Sequence, residues 1–468
     1  MSSASLSLTI DHQSRVPIYQ QLQQQIENLV SQHRLKSGDK LPSSRELAIA
    51  LGISRTSSLK AIDNLIAEGV LISRVKQGVF VSNTPPNFDK PMPVSKQTKT
   101  KAREFVTGFN SGADTAKFPH RLWAQSMRNA WLNPDDAVLQ GRFADGLPAL
   151  KQQIVDYVKQ LRGLQCCAEQ IIVTAGNRDA LTILSHALLQ QKSDRVWLEN
   201  PCYPQVPSLF RWLGKDIKPL ALDEEGAIPP KRATGLALLT PCRQYPLGLA
   251  MSSERRQLWL NLLKQSTDAE QKLWLIEDDY DNEFVYQGRS PVPLMQQDST
   301  QSTFFVGSFS KVMFRGLRLG FIVSPLSQVT QLIDSQQQLG FAGALAVQPA
   351  LADFMQSGKF ATHIRKMRRN YLQKRDVMAE QLAKLSQFLD WQLPHGGMHL
   401  VAYLKLPYEK LEHLICTKLH EQGVSINSLS SHYITSDKRY GFILGFSQPN
   451  ETELTRAINI LHQVLRQC

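Results

Sequence analysis

The sequence predicts an α/β protein in two folded parts, a small winged helix-turn-helix followed by a much larger alternating domain. Three observations carry that reading. A chain of 468 residues exceeds what one hydrophobic core usually organises. Before residue 83, helical periodicity is interrupted at glycines and then gives way to two short β-prone runs. Beyond residue 107, apolar strand-like runs alternate with amphipathic helical ones, as in an α/β domain. The expected boundaries are 1–82 for the first part, 83–106 for a linker and 107–468 for the second.

In the first part, Ile18, Leu22, Ile26 and Leu29 recur at helical spacing through a glutamine-rich stretch. Leu35 to Pro42 is a turn closed by proline. Ser43-Ser44-Arg45-Glu46 is a capping-box pattern that opens a short helix over Arg45 to Leu51, and Gly52 stops it. Ser54 caps the next helix, which is expected to bury Leu59, Ile62, Leu65 and Ile66, and Gly69 ends it. Two short helices around a tight glycine turn fit a helix-turn-helix. Val70–Ile72 and Val79–Val81 then flank the basic tip Arg74-Val75-Lys76-Gln77-Gly78, which predicts a hairpin wing. The third helix opens with Ser54, Arg55, Thr56, Ser57 and Ser58, polar and cationic where a recognition helix enters a major groove. The small hydroxyl residues allow close backbone approach, and Arg55 and Lys60 can reach bases or phosphates.

The segment 83–106 holds Pro85, Pro86, Pro91 and Pro93 among Lys90, Lys96, Lys99, Lys101 and Arg103, with no apolar period. It reads as a semi-extended basic tether, able either to touch phosphates or simply to solubilise.

The large domain carries four strand-to-turn runs of chemical interest. Ile171-Ile-Val-Thr174 leads through Ala175-Gly176-Asn177-Arg178 into a helix expected near Asp179, and helix N-termini suit phosphate. Val196-Trp-Leu-Glu199 leads to Tyr203. Leu273-Trp-Leu-Ile276 ends in the acids Glu277, Asp278, Asp279 and Asp281 around Tyr280. A carboxylate at a strand C-terminus beside a crevice can pair with a protonated ring nitrogen. The fourth run is Thr303 to Ser308, followed by Phe309, Ser310, Lys311 and, after a basic turn, Arg318 and a second strand. A lysine between two apolar strands is suited to be a desolvated amine that forms a Schiff base. Ser308, Ser310 and Arg318 suit a phosphate and Lys311 an aldehyde, and pyridoxal 5'-phosphate carries both groups.

The segment Gly307-Ser-Phe-Ser-Lys311 with Arg318-Leu-Gly resembles the cofactor-lysine region of fold-type I aminotransferases. Leu41-Pro-Ser-Ser-Arg-Glu-Leu-Ala48 with Leu51-Gly-Ile-Ser-Arg55 resembles a GntR-type winged helix. The pairing, in that order over nearly the whole chain, resembles the MocR family of bacterial transcription regulators. The resemblance implies a mixed, mostly parallel central sheet of the PLP-dependent transferase fold. It implies Lys311 as the Schiff-base lysine, Gly176 and Asn177 at the cofactor phosphate, and Tyr203 stacked on the ring. Asp278 would face the ring nitrogen and Tyr280 the ring oxygen. It also implies DNA contacts from Ser44, Arg45, Arg55, Thr56, Lys60, Lys76 and Gly78.

Two departures bear on the ligand. Where the family often reads Thr-Pro-x-His-Gln, this chain has Thr240-Pro-Cys-Arg243-Gln244, which makes Arg243 a candidate ligand-binding cation. Where active aminotransferases hold the substrate carboxylate with an arginine, this chain has Ile443, which cannot make that contact.

Composition agrees with this reading. A formal charge of +12 favours polyanionic partners. Six scattered cysteines without a Cys-x-x-Cys pair suggest neither a disulfide framework nor a metal site, and a reduced cytoplasm is the expected setting. No leader pattern and no spanning apolar run is visible. The leading expectation is a PLP-dependent regulator, a homodimer on double-stranded operator DNA that senses the cofactor or an amino compound. The rival is a working aminotransferase with a DNA-binding appendage, and a third reading is a DNA-tethered dimerisation scaffold.

Overall fold

The computed structural model describes residues 8–83, 107–189, 194–266, 272–340 and 343–468. It divides into two compact units, one within residues 1–102 and one within 103–468. The tether expected over 83–106 lies outside the described residues apart from Asn83.

In the first unit, α1 (Ile18–Ser31) buries Leu22, Ile26, Leu29 and Val30. Helix α2 (Ser44–Leu51) begins with the predicted capping box: the Ser43 hydroxyl accepts from the Glu46 amide at 3.3 Å, and the Glu46 carboxylate accepts from the Ser43 amide at 2.7 Å. Gly52 ends it in the left-handed region at φ 63°. Helix α3 (Arg55–Ala67) is capped by Ser54, whose hydroxyl accepts from the Ser57 amide at 3.0 Å. Strands β1 (Leu71–Arg74) and β2 (Gly78–Val81) pair antiparallel, with Leu71 opposite Val81 and Arg74 opposite Gly78, and form the wing.

One expectation for α3 is corrected. Leu59 is 47% exposed, and the buried stripe runs through Ser58, Ala61, Ile62 and Leu65. That stripe steps back from Leu65 by three and four residues at a time, which puts position 58 on the inner face and turns position 59 outward.

The second unit is built on a seven-stranded sheet. Its strands are β3 (Ile171–Thr174), β4 (Arg195–Glu199), β5 (Asp216–Leu220), β6 (Gly235–Leu239), β7 (Leu273–Asp279), β8 (Thr303–Ser308) and β9 (Gly320–Val323). Their spatial order is β3-β9-β8-β7-β6-β4-β5. Only β9 runs against the others, being antiparallel to both β8 and β3. The mixed, mostly parallel sheet is therefore as expected. Near-continuous apolar strands, such as the fully buried β3, are what a sheet covered on both faces requires.

This topology gathers the functional runs. The C-terminal ends of β3, β4, β6, β7 and β8 open on one edge of the sheet, and β9 begins there. The turns at that edge carry Gly176, Tyr203, Arg243, Asp278 and Lys311, where α/β sheets place their ligands. A second, antiparallel sheet follows, of β10 (Leu389–Trp391), β11 (His399–Leu404), β12 (Asn427–Ser428) and β13 (Gly441–Gly445), in the order β10-β11-β13-β12. Among the described residues, no helix is long and apolar enough to cross a membrane.

Candidate cofactor site and nucleic-acid interface

Lys311 follows β8 in a turn anchored from below. Phe309 is 1% exposed and packs on Tyr157, Phe321 and Phe360 with ring centroids 5.7–6.2 Å apart, so its neighbours Ser310 and Lys311 are presented at the sheet edge. The Lys311 Nζ donates to the Ser111 carbonyl at 2.6 Å and lies 3.5 Å from the Ser111 hydroxyl. Burial pushes its ammonium down to about 8; Arg315 and Arg243 add to this, and Asp281 opposes it. A nucleophilic amine needs its neutral form, and this environment brings that form closer to neutral pH than an ordinary lysine's.

This predicts a pH profile. Uptake of pyridoxal 5'-phosphate by the cofactor-free protein, followed by stopped-flow absorbance, should accelerate as Lys311 loses its proton. With a midpoint of about 8, the rate rises about tenfold between about pH 7 and about pH 9. A midpoint near that of an ordinary lysine would show that the Lys311 amine is not desolvated.

Asp278 sits at the end of β7, opposite Val306 of β8. Burial pushes its carboxyl up to about 7; the Asn177 hydrogen bond opposes this, and Asp279, Glu199 and Asp281 add to it. The Asn177 Nδ2 donates to the Asp278 Oδ1 at 2.7 Å. The Asn177 side chain thus orients the carboxylate, and what it can offer a phosphate is its backbone amide. Gly176 is the N-cap of α6 (Asn177–Leu188), which starts two residues before the expected Asp179. Its φ of 102° with ψ of −179° is open only to glycine. That conformation turns the first amides of α6 towards the sheet edge, where they have no helical acceptor.

Ser308, Ser310 and Arg318 are the residues expected at a phosphate. The Ser308 and Ser310 hydroxyls lie 3.1 Å apart, and the Ser310 amide donates to the Ser308 Oγ at 3.2 Å. Arg318 is exposed at φ 52°; burial pushes the carboxyl of Asp179 on α6 up, and the Ala175 amide and the Arg318 charge oppose this.

The aromatic side centres on Tyr245. Its ring meets Tyr203 and Tyr280 edge-on at 5.6 Å each, meets His399 at 5.2 Å and lies 5.8 Å from His432. Tyr203 is 38% exposed and so leaves a face free. The Tyr280 hydroxyl is buried and has no hydrogen-bond partner. An orphaned buried hydroxyl is costly unless a ligand atom completes it.

Arg243, the candidate ligand-binding cation, has its guanidinium already engaged. Nε donates to Asp281 at 3.1 Å, Nη1 to the Gly396 carbonyl at 2.8 Å, and Nη2 lies 3.2 Å from the His399 Nδ1. Both partners of the ion pair are buried, with Arg243 at 7% and Asp281 at 1% exposure. Gly397, at φ 84°, packs against the guanidinium so closely that any side chain there would collide with it. Ile443, in β13, is 2% exposed and packs with Val401 and Leu429, with Leu247, Tyr403 and Tyr433 around them. Beside this patch, Arg243, Leu247, His399, Tyr403, Tyr433 and Arg439 line a cleft of about 1200 Å³.

Sequence reasoning missed Ser111 and Tyr245 as site residues. Tyr245 stands in the same motif as Arg243, and an aromatic next to Pro246 was the available signal. Ser111 lies 200 residues from Lys311, and nothing local marks it.

In the first unit, Arg45, Arg55, Thr56, Lys60, Lys76 and Gly78 are exposed and Ser44 is half-buried. Lys76 and Gly78 hold positive φ, 60° and 113°, at the wing tip. The Lys60 ammonium sits 4.0 Å over the ring of Tyr19, and the Arg74 guanidinium 4.7 Å over Phe80. The hydroxyl run is less available than expected: the Ser54 and Ser57 hydroxyls bond each other at 2.8 Å, and Ser58 is buried.

Residues 123–458 match the family described as "Aminotransferase class I and II", and residues 18–81 match "Bacterial regulatory proteins, gntR family". The chain is 31% identical over 480 residues to the probable rhizopine catabolism regulatory protein MocR of Rhizobium meliloti, covering 97% of this chain and 95% of that one. This chain belongs to the MocR family. It is also 30% identical to the HTH-type pyridoxine biosynthesis transcriptional regulator PdxR of Corynebacterium glutamicum, over 96% of each chain. The second unit shares its fold with an archaeal alanine:glyoxylate aminotransferase, at TM-score 0.70 and 22% identity, covering 79% of this chain and 92% of the other. The same holds for LysN, the alpha-aminoadipate aminotransferase of Thermus thermophilus, at TM-score 0.68 and 20% identity, covering 78% of this chain and 92% of the other.

In this MocR-family chain the cofactor is pyridoxal 5'-phosphate, and the residues fit it. Lys311 offers a desolvated amine, Asp278 a carboxylate for the ring nitrogen, and Tyr280 an unpartnered hydroxyl for the ring oxygen. Gly176 and Asn177, with Ser308, Ser310 and Arg318, would hold the phosphate. When bound, the cofactor supplies an aldehyde for primary amines and an electron-drawing ring.

Proposed function

We propose that this protein is a transcriptional regulator that binds operator DNA as a homodimer and senses pyridoxal 5'-phosphate, or an amino compound joined to it, in the cytoplasm. The observation that carries this reading is a cofactor cradle completed by Lys311, Asp278 and Tyr280 beside an apolar patch at Ile443. A substrate carboxylate entering that patch would find no cation at position 443 and none free at Arg243, because Ile443 is aliphatic and Arg243 is held by Asp281, while Arg439 stands at the cleft over the Tyr403 ring. An amino acid would therefore lack an arginine–carboxylate pair at position 443, which suits recognition better than turnover. The cleft beside Ile443 has room for an effector larger than the cofactor.

Sensing needs no reaction. An effector has only to bind two conformational states unequally, one of which holds DNA more tightly. The exposed cations Arg45, Arg55 and Lys76 supply the DNA side. Exposed apolar residues at Leu122, Trp131, Leu132 and Leu139, on and after α4 (His120–Leu132) of the second unit, favour a dimer.

Arg55→Ala should weaken binding of the operator by about 1–3 kcal/mol while leaving cofactor uptake unchanged. Fluorescence anisotropy and cofactor absorbance on one preparation check this. Loss of both together would mean that the variant is misfolded or that the two functions do not reside in separate units.

A second reading, the working aminotransferase, is favoured by one observation, the joint presence of Lys311 and Asp278. Amino-donor half-reactions decide it. Rates of about 1 per second or more with common amino acids, as in ordinary enzymes, would establish the enzyme and overturn the sensor.

A further inference from the structure

We propose that Leu59 is a specificity-determining residue of the DNA interface and contacts the C5-methyl group of a thymine in the major groove. The proposal rests on the operator-binding reading above and deepens it.

The open face of α3 holds few groups able to read bases. Ser54 and Ser57 are tied to each other at the helix cap, and Ser58 is buried. Lys60 is drawn back over the ring of Tyr19. What remains on the outer face is Arg55, Thr56 and, one turn on, Leu59, which is 47% exposed, with Asp63 a further turn along, towards the C-terminal end of the helix. A leucine on this face is not part of the core of the first unit, whose stripe runs through Ala61 and Leu65.

The charge around it indicates what covers it. Arg55 lies one turn before Leu59 on the same helix, and the wing adds Arg74 and Lys76, all exposed, so the complementary surface is anionic. Among base edges in the major groove, the thymine methyl is the apolar feature, and aliphatic side chains recognise it by contact. Four residues of helix advance about 6 Å, which is about two base-pair steps of DNA at about 3.4 Å each. The thymine should therefore lie about two base pairs from the base that faces Arg55.

The test uses the full-length protein and a duplex enriched by it from a random-sequence library. Each thymine of that duplex is replaced singly by deoxyuridine, which lacks only the methyl group. The wild type should lose about fourfold in affinity at one position or its symmetry mate, the worth of one buried carbon. Leu59→Ala should bind the thymine duplex about fourfold more weakly and show no further loss with deoxyuridine at that position. Its affinity for a scrambled duplex should match that of the wild type, since phosphate contacts are unchanged.

An equal deoxyuridine penalty in Leu59→Ala, no penalty at any position in the wild type, or an equal loss on the scrambled duplex would each overturn the assignment of Leu59. If the wild type enriches no duplex at all, the operator-binding reading itself fails and Leu59 with it. An enriched duplex without a methyl effect removes Leu59 alone.

Discussion

Lys311→Ala protein should carry no covalently attached cofactor. In the wild type, borohydride treatment should fix the cofactor to the peptide that contains Lys311, and mass spectrometry of the digest reads the modified residue directly. In the variant that adduct and the visible absorbance of the bound cofactor should both be absent. The loss is complete because, among the described residues, the amine is the group at the site suited to the bond: Ser308 and Ser310 are hydroxyls, and Arg243, Arg315 and Arg318 are guanidinium groups. The variant should still fold, since what is removed is a half-buried ammonium that desolvation disfavours, not a packed apolar side chain. Residual reversible binding through Asp278, Tyr280 and the end of α6 is expected, and it washes out on gel filtration. The same yield of adduct on another lysine would show that Lys311 is not the attachment residue.

Arg243→Ala should lower the stability of the second unit by about 3–5 kcal/mol, the usual cost of breaking a buried ion pair by removing one partner. The Asp281 carboxylate is 1% exposed and would be left in the interior without its cation. The Gly396 carbonyl and His399 would each lose a hydrogen-bonding neighbour as well. Denaturant melts followed by tryptophan fluorescence measure the loss. A double change, Arg243→Met with Asp281→Leu, should recover much of it, because the uncompensated charge is then gone. If Arg243→Ala instead keeps wild-type stability and loses only an effector response, Arg243 is a ligand-binding cation after all, and the ion pair is incidental.

These two cases mark what the sequence made legible. The turns that carry Lys311 and Asp278 could be located because each follows an apolar run that has to be a buried strand, and parallel strands bring their C-terminal ends to one edge; Asp278 was singled out from Glu277, Asp279 and Asp281 by the family resemblance alone. The capping box at Ser43 was equally visible, being contained in four adjacent residues. Arg243 was legible as a buried-site cation but not as an engaged one, since its partners lie 38 residues away at Asp281 and 153 away at Gly396. Ser111 was hidden for the same reason. Leu59 was misplaced because an apolar residue near a helical stripe looks buried from periodicity alone, and only packing against α1 and the wing decides which side faces the core. Asn177 was read as a phosphate ligand, yet its side chain turns to a carboxylate brought close by the sheet.

The central claim is that cofactor occupancy of the second unit is coupled to DNA binding by the first. The direct measurement is the Kd of the full-length protein for its selected duplex, by fluorescence anisotropy, in the cofactor-free form and at saturating pyridoxal 5'-phosphate, with the Lys311→Ala protein alongside. A coupling of 1–3 kcal/mol, typical of allosteric proteins, predicts that the two wild-type values differ by about fivefold or more, and that the difference shrinks in Lys311→Ala. The same Kd with and without cofactor, in wild-type protein shown to be loaded, would contradict it and leave the second unit without a sensory role for the cofactor.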